Sequence, residues 1–173
     1  MGGTTVLGRS GPFELRQDVI QFPDGVEARY TVLSNPDSAF VVPYFDNADT
    51  MLVRQWRHAW DESSWEVPAG TFDGDEDPLE CARRELAEET GLVATRYTSL
   101  GVVHGAAFLT GSAHLFLAEG LTESDRSPES YEQDMEVQRL PFVEAFNAAL
   151  EGQIVHSGSV TALSRAARAL RLI

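Results

Sequence analysis

The chain has 173 residues, 43% apolar and 23% charged, which suits a folded domain with a sizeable core and excludes a disordered one. Its 27 acidic groups outnumber 13 basic ones for a formal net charge of −14, and every basic residue is Arg. This excludes the basic surface on which nucleic-acid polymers bind, and any Schiff-base, phosphate-loop or general-base lysine. A lone cysteine, Cys81, leaves no intramolecular disulfide. No apolar run approaches the roughly 18 residues of a membrane span, and the first residues lack a signal-peptide core. The expectation is a soluble, cytoplasmic protein with no membrane partner.

Residues 1–12 are small and polar and read as a flexible tail. The stretch 13–22 (FELRQDVIQF) suits a strand, Pro23-Asp24-Gly25 a turn, and 26–33 (VEARYTVL) a return strand. This hairpin ends at Ser34-Asn35-Pro36-Asp37, so 13–38 reads as a small β segment and 39–173 as the main domain. A second strand pair is expected over 39–45 and 51–56, around a turn at 46–49. Short strands are expected near 65–67, 97–103, 114–118 and 135–140, with a polar loop over 122–132. The first helix takes Asp77 as N-cap, Pro78 as its first residue and Glu80 to close a capping box, and it stops at Gly91. A second helix runs from about Phe142 to Glu151. A third begins near 157–159 and carries Val160, Leu163, Ala167 and Leu170 on one face. Strands around one helix, followed by two more helices, predict an α+β fold built as an α/β/α sandwich.

The first helix carries an unfavourable charge pattern. Glu85, Glu88 and Glu89 stand three and four residues apart on one side, repelling each other by roughly 0.2–0.5 kcal/mol per pair. They also crowd the negative end of the helix dipole. Arg84 can offset one acid through Glu88 but cannot neutralise three. Either this is a solvated acidic face, or a hard divalent cation such as Mg²⁺ turns the repulsion into a binding site.

Counted from Gly70, the text runs Gly70, Glu76, Arg84-Glu85-Leu86, Glu88-Glu89, Gly91-Leu92. It resembles the Nudix box, GX5EX7REUXEEXGU with U aliphatic, at all nine defined positions over 23 residues. The resemblance implies a loop–helix–loop that holds Mg²⁺ or Mn²⁺ against a pyrophosphate. Glu85 and Glu89 would be the main metal ligands, with Glu88 contributing and the carbonyl of Ala69 adding another. Arg84 would orient the glutamates, with Glu76 as its partner.

The likeness extends beyond the box. Arg54-Gln55-Trp56-Arg57 and Trp65-Glu66-Val67-Pro68-Ala69-Gly70 look like the "QYR…WELPAG" segment of ADP-ribose and nucleotide-sugar pyrophosphatases, and 152–162 (GQIVHSGSVTA) resembles their "GEI.D..S" helix entry. By this resemblance Arg29 and Arg57 match arginines that grip substrate phosphates; otherwise they are ordinary surface arginines. Glu66 either helps hold the site or is a solvated strand-end acid. Trp56, Trp60 and Trp65 are expected as core or interface aromatics rather than base-stacking platforms, His104 and His114 as structural or close to the site, and Cys81 as packed. The hairpin resembles the segment through which such enzymes dimerise, so a homodimer is expected, with Phe13, Phe22 or Tyr30 near the partner.

One segment departs from the family pattern. Where these pyrophosphatases carry "SPG…SE", residues 105–112 read GAAFLTGS, with no proline and no acid. The general base is then either Glu88 or Glu89 on the helix, or an acid of 129–136, with Glu132 and Glu136 as candidates. The expected activity is hydrolysis of a nucleoside diphosphate linked to another moiety, ADP-ribose or a nucleotide sugar. The alternatives are a nucleoside-triphosphate or other house-cleaning pyrophosphatase, and a Nudix-fold binding or regulatory module.

Overall fold

The computed structural model describes residues 2–125 and 135–173, so Glu132 and most of the polar loop lie outside the described residues. The chain divides into two compact units, one of residues up to Asp37 together with His104–Ser112, the other of Ser38–Val103 and Ala113–Ile173. The second boundary is non-local, which the contiguous division at 38 did not anticipate.

In the N-terminal unit, β1 (Thr4–Ser10), β2 (Phe13–Gln21) and β3 (Glu27–Ser34) form an antiparallel sheet in that order. Gly25, at φ +82°, supplies the left-handed corner of the expected β2–β3 turn, where Asp24 Oδ1 accepts from the Val26 N–H at 3.1 Å. The expectation of a flexible tail over 1–12 is corrected: Thr4–Ser10 pairs with β2, making three strands where a hairpin was expected. Its side chains are all exposed, so no burial pattern marks it. Backbone pairing and edge contacts such as Thr4 Oγ1 to Asp18, at 2.8 Å, hold it instead. The segment 105–112 is structural here. Leu33 exchanges backbone hydrogen bonds with Phe108 and Thr110, and Asn35 and Asp37 accept from the N–H groups of Gly111 and Ser112 at 3.0 and 2.8 Å.

The main unit contains β4 (Ser38–Tyr44), β5 (Asp49–Arg57), β6 (Glu62–Glu66), β7 (Ala69–Thr71), α1 (Pro78–Thr90), β8 (Leu92–His104), β9 (Ser112–Glu123), β10 (Glu136–Pro141), α2 (Phe142–Leu150) and α3 (Ser157–Ala169). Among the described residues the sheet runs β10-β5-β4-β9-β8, with β6 added on β5 and β7 on β4. Strands β4 and β9 are parallel, whereas β5 pairs antiparallel with β4, β6 and β10.

Alternation along β4 shows why the fold is a sandwich. Ala39 and Val41 pack with Cys81, Ala82 and Leu86 of α1. Phe40 and Val42 face the other way, with Phe142 and Ala145 of α2 and Leu163 and Ala166 of α3. A strand buried on both faces reads as a continuous apolar run, as 39–43 does. The expected α+β sandwich is the one observed. The strand β7, only three residues long, is, with β1, an element that was not expected from the sequence, and it brings Ala69 and Gly70 alongside α1.

Candidate active site

Asp77 caps α1 by accepting from the Leu79 N–H at 2.9 Å, and Gly91, at φ +68°, closes it by donating to the Ala87 carbonyl. The capping box is not reciprocated as expected; Glu80 pairs with Arg83 instead. Burial of Cys81, Ala82 and Leu86 fixes the helix rotation, and that rotation turns part of the acidic face inward. Glu85 and Glu89 are buried, while Glu88 keeps 30% of its side chain exposed. A solvated acidic face is therefore ruled out for two of the three acids.

Arg84 joins this acidic group. Its Nε and Nη2 donate to the two oxygens of Glu76 at 3.0 and 2.8 Å, and Nη2 also reaches the Thr71 carbonyl at 3.0 Å. Its Nη1 donates to Glu85 at 2.7 Å and to Glu88 at 3.1 Å. The planar fork of a guanidinium suits several fixed acceptors at once, which a lysine could not serve. Hydrogen bonding to Glu76 raises the Arg84 pKa further, and the same bond lowers that of Glu76. Burial, followed by the Glu85 and Glu76 charges, pushes the Cys81 thiol up to about 12, so this cysteine is packed and inert.

Glu89 is held from the opposite side. Gln55 Nε2 donates to Oε1 and the Ala69 N–H donates to Oε2, both at 3.0 Å. The expected contact of Ala69 is through its carbonyl; the structure engages its N–H, and Gln55 is a support of Glu89 that the motif alone does not mark. Gly70 is required by Glu85, because a Cβ there would lie 1.8 Å from Glu85 Oε1 and displace the carboxylate.

The oxygen donors of Glu85, Glu88 and Glu89 suit a hard divalent cation, and the missing Cβ of Gly70 makes the room that the Glu85 carboxylate occupies. Among the described residues, no three His, Cys, Asp or Glu groups already converge on a cation position, with Arg84 holding two of the carboxylates.

A second network lies across β5 and β6. Glu66 is fully buried, and its two oxygens accept from Arg57 Nε and Nη2. His156, at the start of α3, places Nδ1 2.8 Å from Glu66 Oε2. Burial alone would raise the Glu66 pKa; the hydrogen bonds from Arg57 and His156 outweigh it and hold it at about 2. The solvated strand-end reading of Glu66 is therefore corrected. His156 is the site neighbour that the sequence reading did not single out. A histidine distant in sequence carries no local signal for such contact.

The remaining candidates have other partners, apart from Trp60, whose ring lies 5.7 Å from that of His156. Glu136 begins β10 and pairs with Arg54 across the strands at 2.9 Å. Arg29 belongs to the N-terminal unit, where its guanidinium lies 3.5 Å from Gln17 and 3.8 Å from Glu27. Trp56 and Trp60 are exposed, which excludes the core half of the core-or-interface expectation for them, whereas Trp65 packs on the core. His104 lies 3.4 Å from Ser112, and His114 stacks near Phe72.

Comparison with known proteins agrees with this architecture. The NUDIX domain matches residues 35–157. The ADP-ribose pyrophosphatase of Mycobacterium tuberculosis is 36% identical over 149 residues, covering 84% of this chain and 72% of that protein. The ADP-ribose pyrophosphatase of Bacillus subtilis is 28% identical over 139 residues, covering 80% and 71%. A crystal structure described as an ADP compounds hydrolase superposes with a TM-score of 0.86 at 22% identity, covering 98% of this chain and 92% of that one, a match of fold. The chain thus belongs to the Nudix family, and it is a pyrophosphohydrolase.

Proposed function

We propose that the protein hydrolyses the diphosphate of ADP-ribose or a nucleotide sugar, releasing a nucleoside monophosphate and a sugar phosphate, with Mg²⁺ or Mn²⁺ as cofactor. The observation that carries this reading is the excess of carboxylate over cation on α1: one guanidinium serves Glu76, Glu85 and Glu88. The similarity to two ADP-ribose pyrophosphatases supports the substrate class.

Glu85, Glu88, Glu89 and the Ala69 carbonyl would hold the cation. When bound, it would neutralise charge developing on the diphosphate and acidify a water. The protein's own part is to keep these donors in place. Arg84 clamps Glu85 and Glu88 while Glu76 anchors Arg84, and Gln55 fixes Glu89. Arg57 would grip a phosphate from β5, and Arg29 would do so from β3. In this reading the proton of the attacking water goes to Glu88 or Glu89 of α1, because a bound cation would already acidify that water, while Glu136 pairs with Arg54.

A panel of nucleotides and nucleotide sugars, assayed for metal-dependent release of phosphatase-labile phosphate, tests the reading. Turnover of ADP-ribose or a nucleotide sugar in preference to triphosphates is expected. Metal binding without turnover of any compound would favour a binding module.

Assembly as a homodimer is part of the same reading. Phe13, Phe22 and Tyr30 of the N-terminal unit are 44%, 42% and 52% exposed; the β2–β3 register sets Tyr30 opposite Asp18, on the other face from Phe13, so apolar side chains are open to a second copy on both faces of the sheet. Light scattering at micromolar concentration should give twice the chain mass; a monomer would count against it. No described helix is long and apolar enough to cross a membrane.

A further inference from the structure

His156 sits where three elements meet. It precedes the first residue of α3, and its ring lies between Phe40 of β4 and Trp60, with centroids 5.2 and 5.7 Å away. The start of α3 is pressed onto β4, because a Cβ on Gly158 would come within 2.5 Å of the Phe40 ring. The contact is further tied by the Val67 N–H, which donates to Ser159 Oγ at 3.1 Å, and Ser159 Oγ lies 3.2 Å from His156 Nδ1. Packing therefore fixes the imidazole independently of any charge.

The carboxylate of Glu66 can only accept, so the nitrogen 2.8 Å away carries the proton: Nδ1–H donates to Oε2. On its other side Glu66 accepts two hydrogen bonds from Arg57. The register of β5 and β6 places Glu66 opposite Val53, four residues before Arg57. At about 3.3 Å per residue, the side chains of Arg57 and Glu66 must span about 13 Å along the sheet to meet. Residues 53 and 57 share a face, so the contact is allowed, but it draws the arginine back along its own strand. Arg57 still keeps 32% of its side chain exposed. A long, flexible cation is thereby held in one direction at the surface by a buried anion, which is itself held by a packed imidazole.

We propose that His156 is a positioning residue for the reaction: through Glu66 it orients the Arg57 guanidinium toward a phosphate of the substrate. The proposal rests on the reading of Arg57 as a phosphate grip given above. An arginine pre-set in one orientation loses less conformational freedom on binding a diphosphate than one left mobile.

The test uses the intact protein with MgCl2 and α,β-methylene-ADP, a diphosphate that cannot be cleaved at its P–C–P bridge, with binding measured by calorimetry. His156→Phe keeps an aromatic ring against Phe40 and Trp60 but removes the Nδ1–H. His156→Asn keeps an N–H donor near that position. Arg57→Ala should weaken binding about tenfold, the scale of a lost charge-assisted hydrogen bond. His156→Phe should weaken it by a comparable factor alone and have no further effect in the Arg57→Ala background, while His156→Asn binds within about twofold of wild type. Full affinity in folded His156→Phe, or an undiminished effect of it without Arg57, would overturn the relay. So would unchanged binding by Arg57→Ala, or no binding by the wild type. Should His156→Phe not fold, His156→Leu in the same cycle reads the same donor. The substrate reading fails separately, by absence of turnover across the nucleotide panel, whatever this binding series gives.

Discussion

Around Arg84 one guanidinium serves three carboxylates; around Glu66 one carboxylate serves a guanidinium and an imidazole. Both groups are partly buried in the main unit, and both rest on arginine–glutamate forks. They differ in what is left over. In the α1 group one guanidinium is shared among three carboxylates, and in the reading proposed above a cation would complete the balance. In the Glu66 group the carboxylate accepts from the Arg57 guanidinium and from His156, so its acceptors are taken up within the protein. In the proposed reading, the balance of carboxylate and guanidinium separates a ligand-binding cluster from a positioning one.

The largest expected effect tests the first half of this contrast. Glu85→Gln and Glu89→Gln should each lower the maximal rate by roughly a thousandfold or more, about 4 kcal/mol of transition-state stabilisation. Folding should survive both changes. Glu85→Gln relieves repulsion without touching the Glu76 fork, and Gln55 can turn its amide oxygen toward the new N–H₂ in Glu89→Gln. Steady-state kinetics and urea midpoints without metal check both statements. Near-normal turnover in either variant would remove α1 from the chemistry.

Next in size is the acid response of the other cluster. The folded-state pKa of Glu66 lies at about 2, below the ordinary 4.5. Stability from its ionised form is therefore fully present above about pH 4.5 and is lost as pH falls through about 2. The drop corresponds to roughly 3 kcal/mol. Glu66→Gln should consequently lose less stability than wild type between pH 5 and pH 2.5 (about those values, by urea unfolding). Parallel curves would show that Glu66 is not held ionised by Arg57 and His156.

The two clusters also differ in how they were written in the sequence. Arg84, Glu85, Glu88 and Glu89 share one helix, so a fixed spacing encodes their proximity, and even the Glu76 partner could be read from the motif. The sandwich was legible because the double burial of β4 produces a continuous apolar run. The Glu66 cluster draws on β5, β6 and the residue before α3, and only the tertiary fold brings those three together. For the same reason Gln55 went unnoticed as a support for Glu89. The strand β1 was missed on different grounds: with every side chain exposed, it carries no alternation for a reader to find.

Metal addition sharpens the comparison at an intermediate scale. A cation that binds only the folded state at about 100 times its dissociation constant adds about 2.7 kcal/mol of stability. Wild type and Glu66→Gln should both gain this from Mg²⁺ or Mn²⁺ in thermal unfolding, and Glu85→Gln should not. An equal gain in all three would place the cation elsewhere.

The smallest expected effect belongs to Glu136, whose pairing with Arg54 provides a one-to-one contrast with both clusters. Side chains 61% and 40% exposed meet across β10 and β5, with neither the charge excess of α1 nor the burial of Glu66. Exposed pairs of this kind contribute about 0–1 kcal/mol, because solvent screens them and holding two long side chains costs entropy. In the proposed mechanism the proton goes to an acid of α1, and Glu136 only pairs with Arg54 2.9 Å away. Glu136→Gln should therefore change the maximal rate by less than about tenfold, or about 1.4 kcal/mol. A loss of roughly a hundredfold with unchanged metal affinity would move the general base from α1 to the head of β10. The charge left over on α1 would then serve to hold the cation alone.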